Sequence, residues 1–63
     1  MLLYVSSDPE YAHAWNGIGA ALGGLKKYKK ALEAFSKAIK LDSEHAHAWY
    51  NKGYALCNLK RYE

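Results

Sequence analysis

Three histidines, His13, His45 and His47, have the widest chemical repertoire in this chain, since imidazole can act as ligand, acid or base. His45 and His47 stand two apart, which on a helix turns them about 200° from each other, so a shared metal ion is not expected. No Cys-x2-Cys or His-x3-His spacing accompanies them, and neither a metal nor a cofactor is expected. His13 and His47 are read as one exposed position, duplicated. Nucleophilic chemistry has as little support. Ser6, Ser7, Ser36 and Ser43 lack a His–carboxylate arrangement by spacing, and no glycine-rich loop follows a strand. Cys57 has neither a second cysteine nor a reactive-thiol motif beside it. No catalytic residue is assigned, and the chain reads as a non-enzyme.

The densest charge run is Lys26, Lys27, Lys29 and Lys30, with Tyr28 in its midst. Nucleic-acid contact would use such a run with interleaved aromatics. The periodicity gives Tyr28 to a helix interface, however, so the lysines form a solvated corner and nucleic acid is disfavoured as a partner. The net charge of +3 is compatible with an acidic partner but far weaker than a nucleic-acid-binding tail. A lone cysteine permits no internal disulfide and suits a reducing compartment. Met1-Leu2-Leu3-Tyr4-Val5 is too short for a signal or membrane segment. The expectation is a soluble, cytoplasmic chain with no membrane association.

The elements that carry these residues come in two copies. Ala12-His13-Ala14-Trp15 recurs as Ala46-His47-Ala48-Trp49, an offset of 34 residues. Gly19, Ala21, Leu22, Leu25, Lys26 and Tyr28 recur as Gly53, Ala55, Leu56, Leu59, Lys60 and Tyr62. Asp8-Pro9-Glu10 opens a first helix: Asp8 caps, Pro9 takes the first helical position and Glu10 complements the macrodipole. Tyr11, Ala14, Trp15, Ile18, Ala21, Leu22 and Leu25 then follow at spacings of three and four as its apolar stripe. Gly23-Gly24 prepares a turn at Leu25-Lys26-Lys27. A second helix is expected over about 28–41, burying Tyr28, Ala31, Leu32, Phe35, Ala38 and Ile39. Asp42-Ser43 is expected to cap a third helix, about 44–59, that replays the first. Residues 1–7 are either the stub of a preceding helix or a frayed lead-in. The fold class is all-α, with three helices and a fourth missing.

Trp15-x2-Ile18-Gly19-x2-Leu22 followed by Ala31-x3-Phe35 resembles the tetratricopeptide repeat, a 34-residue helix–turn–helix unit. The resemblance covers residues 8–63, a complete repeat at 8–41 and a half repeat at 42–63, as an antiparallel α-solenoid fragment. Two departures stand out. Lys52 replaces an apolar residue, and Ser43 replaces a proline that commonly separates repeats, so a continuous helix there becomes easier. Gly19 and Ala31 are small enough to let two helices approach, with Trp15 and Phe35 filling the space beside them.

The resemblance implies a protein-interaction scaffold whose first helices line a groove for extended or helical peptides. Carried over by position, that groove is lined by His13, Asn16, Ala20, Gly23 and Gly24, then by His47, Tyr50, Tyr54, Cys57 and Asn58. A lysine–asparagine clamp for a peptide's terminal carboxylate is disfavoured: Asn51 matches one position, but Asn16 and Ala20 stand where Lys and Asn are needed. Ala48, Trp49, Ala55, Leu56 and Leu59 are assigned to an uncovered face of the third helix. Covering that face favours a homo-oligomer, by face packing or helix exchange. The competing readings are a structural self-assembling fragment, natural or engineered, with no peptide ligand, and a small basic RNA-binding unit.

Overall fold

The computed structural model describes residues 9–62, with side-chain surroundings for 11–60. The lead-in at 1–7 and the expected cap at Asp8 lie outside the described residues. The described residues form three helices: α1 (Pro9–Gly24), α2 (Tyr28–Leu41) and α3 (Ala46–Tyr62). The all-α architecture is as the periodicity requires, and Pro9 is the first helical residue, where its missing N–H costs nothing.

The turn after α1 closes through paired backbone bonds. The Lys26 N–H donates to the Gly23 carbonyl and the Lys27 N–H to the Leu22 carbonyl, both at 2.9 Å. This is a Schellman closure, which needs one residue in the left-handed region just past the helix. That residue is Lys26, at φ 64°, and neither Gly23 nor Gly24 has a positive φ. The glycines therefore end the helix by weak propensity and do not supply the left-handed step.

The second turn separates α2 from α3 as expected, but Asp42 and the start of α3 both depart from the sequence expectation. No continuous helix forms. Asp42 is extended at φ −147°, ψ 94°, and its N–H closes α2 on the Ala38 carbonyl at 2.9 Å. Asp42 also does not cap α3. Its carboxylate accepts from the Glu44 N–H at 3.2 Å and its carbonyl from the His45 N–H at 3.1 Å, shaping the turn itself. The helix opens at Ala46, later than expected, with the His45 carbonyl accepting from Ala48 and Trp49 at 3.1 and 3.3 Å. The Trp49 indole N–H donates to the Ser43 carbonyl at 2.8 Å and pins the turn to α3.

Helix α2 lies between the other two and packs extensively on both, while α1 and α3 touch only slightly. The core is built largely from alanines, which lets the helices approach closely. One cluster takes Ala12 from α1, Ala38 from α2 and Ala48 from α3, flanked by Trp15, Ile39 and Leu41. The other takes Ala31, Phe35 and Ala55, flanked by Leu22, Tyr28 and Leu32. The expected stripe of α2 is thus the one that packs.

The stripe expected on α1 is corrected. Tyr11, Ile18 and Leu25 are 45%, 48% and 67% exposed, and Ala14 and Ala21 are exposed beside them. Ala12, Asn16 and Gly19 are buried instead, with Trp15 and Leu22 partly covered. Leu25 lies beyond α1 in the turn, the other six spread across two adjoining faces of the helix, and α2 occupies only the Trp15–Gly19–Leu22 side. Gly19 is required there by contact. A Cβ built on it stands 2.6 Å from Phe35 Cδ1 and 2.9 Å from Cζ, closer than carbon atoms tolerate.

Candidate interaction surfaces

Ala20, Gly23 and Gly24 of α1 face Asn51, Tyr54 and Ala55 of α3 across a cleft floored by Tyr28 and Phe35 of α2. Its volume is about 270 Å³. Among the described residues the lining carries aromatic, amide and small side chains and no formal charge. The small residues at 20, 23 and 24 make it possible, since none carries more than a methyl group into the space.

The groove residues expected from sequence divide into five groups. Ala20, Gly23, Gly24 and Tyr54 line this cleft. Asn16 and Asn58 do not present free amides. Asn16 is buried and its Oδ1 accepts from Asn51 Nδ2 at 3.0 Å, tying α1 to α3. Asn58 is buried and its Nδ2 donates to the Tyr54 carbonyl one turn back, at 2.9 Å. Tyr50 is 72% exposed and outside the cleft lining. Cys57 is exposed, in a shallow depression with Leu56, Leu59 and Lys60. His13 and His47 gather elsewhere, on either side of His45, with ring centres 6.0 Å (His13–His45) and 6.3 Å (His45–His47) apart.

Tyr28 and Phe35 are expected from sequence in the buried stripe of α2 and Ala55 on the uncovered face of α3, yet all three line the cleft. Nothing in their types signals this. Asn51 had a signal in its match to a clamp position, although its amide here is engaged with Asn16. His45 was set aside with His47 because the third helix was expected to include both.

The uncovered face of α3 is smaller than the sequence suggested. Ala48 and Ala55, assigned to it, are 0% and 1% exposed because they pack on α2. Leu59 is partly buried. Trp49 and Leu56 remain 50% and 46% exposed, and Gly53 between them has nothing within 4 Å of a built Cβ. Lys52 reaches over the Trp49 ring at 5.6 Å, a contact matched at Trp15 by Lys37 at 4.8 Å. Among the described residues no helix is long and apolar enough to cross a membrane.

A central helix sandwiched by two copies of one sequence, with a cleft between the copies, defines a helical-repeat architecture. The family models agree: residues 12–45 match one tetratricopeptide repeat model and residues 34–63 match another. The chain belongs to the tetratricopeptide repeat family, and the match amounts to about one and a half repeats. Such repeats are generally protein–protein interaction modules, in a family that is not catalytic. No curated protein and no solved structure is significantly similar to the chain.

Proposed function

We propose that this chain is a protein-binding scaffold that takes an uncharged, extended peptide segment in the α1–α3 cleft. The observation that carries the reading is the convergence of all three helices on one cleft with no charged side chain among its described lining residues. The Tyr54 ring, 60% exposed, offers a rigid aromatic contact at low entropic cost. With no cation among the described lining residues, a terminal carboxylate would be desolvated without a counter-charge, which disfavours a chain end as ligand.

The test is selection from a displayed library of random uncharged heptapeptides. Selected peptides are expected to weaken by about tenfold or more against Tyr54→Ala and against Gly24→Leu, which fills the cleft. Peptides that bind both variants as well as the parent would sink the reading.

A second surface is favoured by a separate observation. Trp49, Gly53 and Leu56 repeat Trp15, Gly19 and Leu22, which are the α1 residues against which α2 packs. A second copy of this chain carries a helix of the α2 type and can supply that contact by helix exchange. The supporting outcome is a molar mass by light scattering that rises with concentration and returns to that of a monomer in Leu56→Glu. A monomer at all concentrations up to about 1 mM rules the second surface out.

A further inference from the structure

The three histidines remain outside both surfaces, and their placement removes the reason for setting them aside. The angular separation that keeps His45 and His47 apart applies only if both are helical, and His45 lies in the turn ahead of α3. The turn holds His45 by its backbone and brings its ring within 6.0 Å of His13, from the other copy of the repeat, at an interplanar angle of 33°. Among the described residues, His45 Nε2 is the buried side-chain nitrogen or oxygen with no hydrogen-bond partner. A buried nitrogen of this kind costs free energy unless something satisfies it.

We propose that His45 and His13 form a two-imidazole site for a borderline divalent ion such as Zn²⁺ or Ni²⁺, with water completing the coordination. Imidazole nitrogen suits these ions and does not suit the hard cations that prefer oxygen. With an ion about 2.1 Å from each nitrogen and each ring centre roughly 1.1 Å further, two tetrahedrally placed imidazoles have centres about 5 Å apart. The observed separation is greater by about 1 Å, a gap that rotation of the exposed His13 side chain closes. His45 is the fixed ligand and His13 the mobile one. No three or more His, Cys, Asp or Glu side chains among the described residues are already grouped to hold a metal. The site is therefore a pair that assembles on the ion and not a preformed cage. His47, exposed on α3 with its ring centre 6.3 Å from that of His45, is the competing second ligand, and the variants below separate it from His13.

The experiment is calorimetric titration of the untagged chain with zinc chloride and, separately, nickel chloride, in a Cys57→Ser background that removes the exposed thiol. Saturable one-to-one binding is expected at pH 7.5, lost at pH 5 because protonated imidazoles cannot ligate. His13→Gln and His45→Gln should each weaken it at least about tenfold, and His47→Gln far less. Nitrogen-resolved imidazole spectra should show one nitrogen of His45 and one of His13 shifting together with added zinc. His13 is exposed, so His13→Gln remains informative even if His45→Gln loosens the turn. The proposal is overturned by absence of saturable binding up to roughly 1 mM metal. It is equally overturned by unchanged affinity in His13→Gln, or by a loss confined to His47→Gln.

Discussion

Helices α1 and α3 carry the same tetrad and bury opposite parts of it. In α1 the first alanine, Ala12, is buried and the second, Ala14, is exposed; in α3 Ala46 is exposed and Ala48 is buried. The reason is that α2 is a neighbour to both, but on different sides. It covers the Trp15–Gly19–Leu22 side of α1 and the Ala48–Ala55 side of α3. Each helix thus has two docking faces and uses one. Identical residues acquire opposite energetic roles from their place in the stack, as nearest-neighbour interfaces in a repeat array require.

The tryptophans give the largest expected contrast. Trp15 packs beside the Ala12–Ala38–Ala48 cluster with Lys37 over its ring, whereas half of Trp49 is exposed. Trp15→Ala is expected to cost about 2–4 kcal/mol, below the range for a fully buried tryptophan because its burial is partial. That is a large share of the stability of so small a unit. Trp49→Ala should cost only about 1 kcal/mol, chiefly the indole bond to Ser43. Urea unfolding followed by far-ultraviolet circular dichroism checks both. Equal losses would mean that α3's outer face is covered in solution, which the self-association reading requires at high concentration and forbids at low.

Glycine reverses sign between the two copies. Gly19→Ala forces a methyl against the Phe35 ring and should destabilise by about 1–3 kcal/mol. Gly53→Ala meets open space inside a helix and should stabilise by about 0.5–1 kcal/mol. Thermal melts of the two variants under one set of conditions suffice. A stabilising Gly19→Ala would show that α1 and α2 are further apart than the ring contact implies.

The period, the three helices and the α2 stripe were legible in the sequence because each follows from residue spacing alone. Which face of α1 is buried was not, since Tyr11, Ile18 and Leu25 are as apolar as Trp15 and Leu22. Spacing identifies a docking face without revealing whether a neighbour is present to occupy it. The Asn16–Asn51 bridge was illegible for a related reason. At an offset of 34, Asn16 corresponds to Tyr50 and Asn51 to Gly17, so the repeat gives no hint that the two amides meet. The turn was misjudged because Asp42-Ser43 has the composition of a cap, and the same side chains serve equally well in an Asx turn. That single shift moved His45 out of the helix and brought it beside His13.

The smallest contrast lies at the lysines that end the repeated segment. Lys26 holds a left-handed conformation that costs a residue with a Cβ roughly 1–2 kcal/mol. Its counterpart Lys60 is an ordinary residue within α3. Lys26→Gly removes the steric cost but adds unfolded-state freedom, for a net stabilisation of about 0.5 kcal/mol. Lys60→Gly has only the second effect and should destabilise by up to about 1 kcal/mol. A pair of urea titrations with unchanged slopes would register the opposite signs as midpoints displaced in opposite directions. Two midpoints displaced the same way would mean that Lys60 also ends its helix in the left-handed region, and that the two copies close alike despite burying different faces.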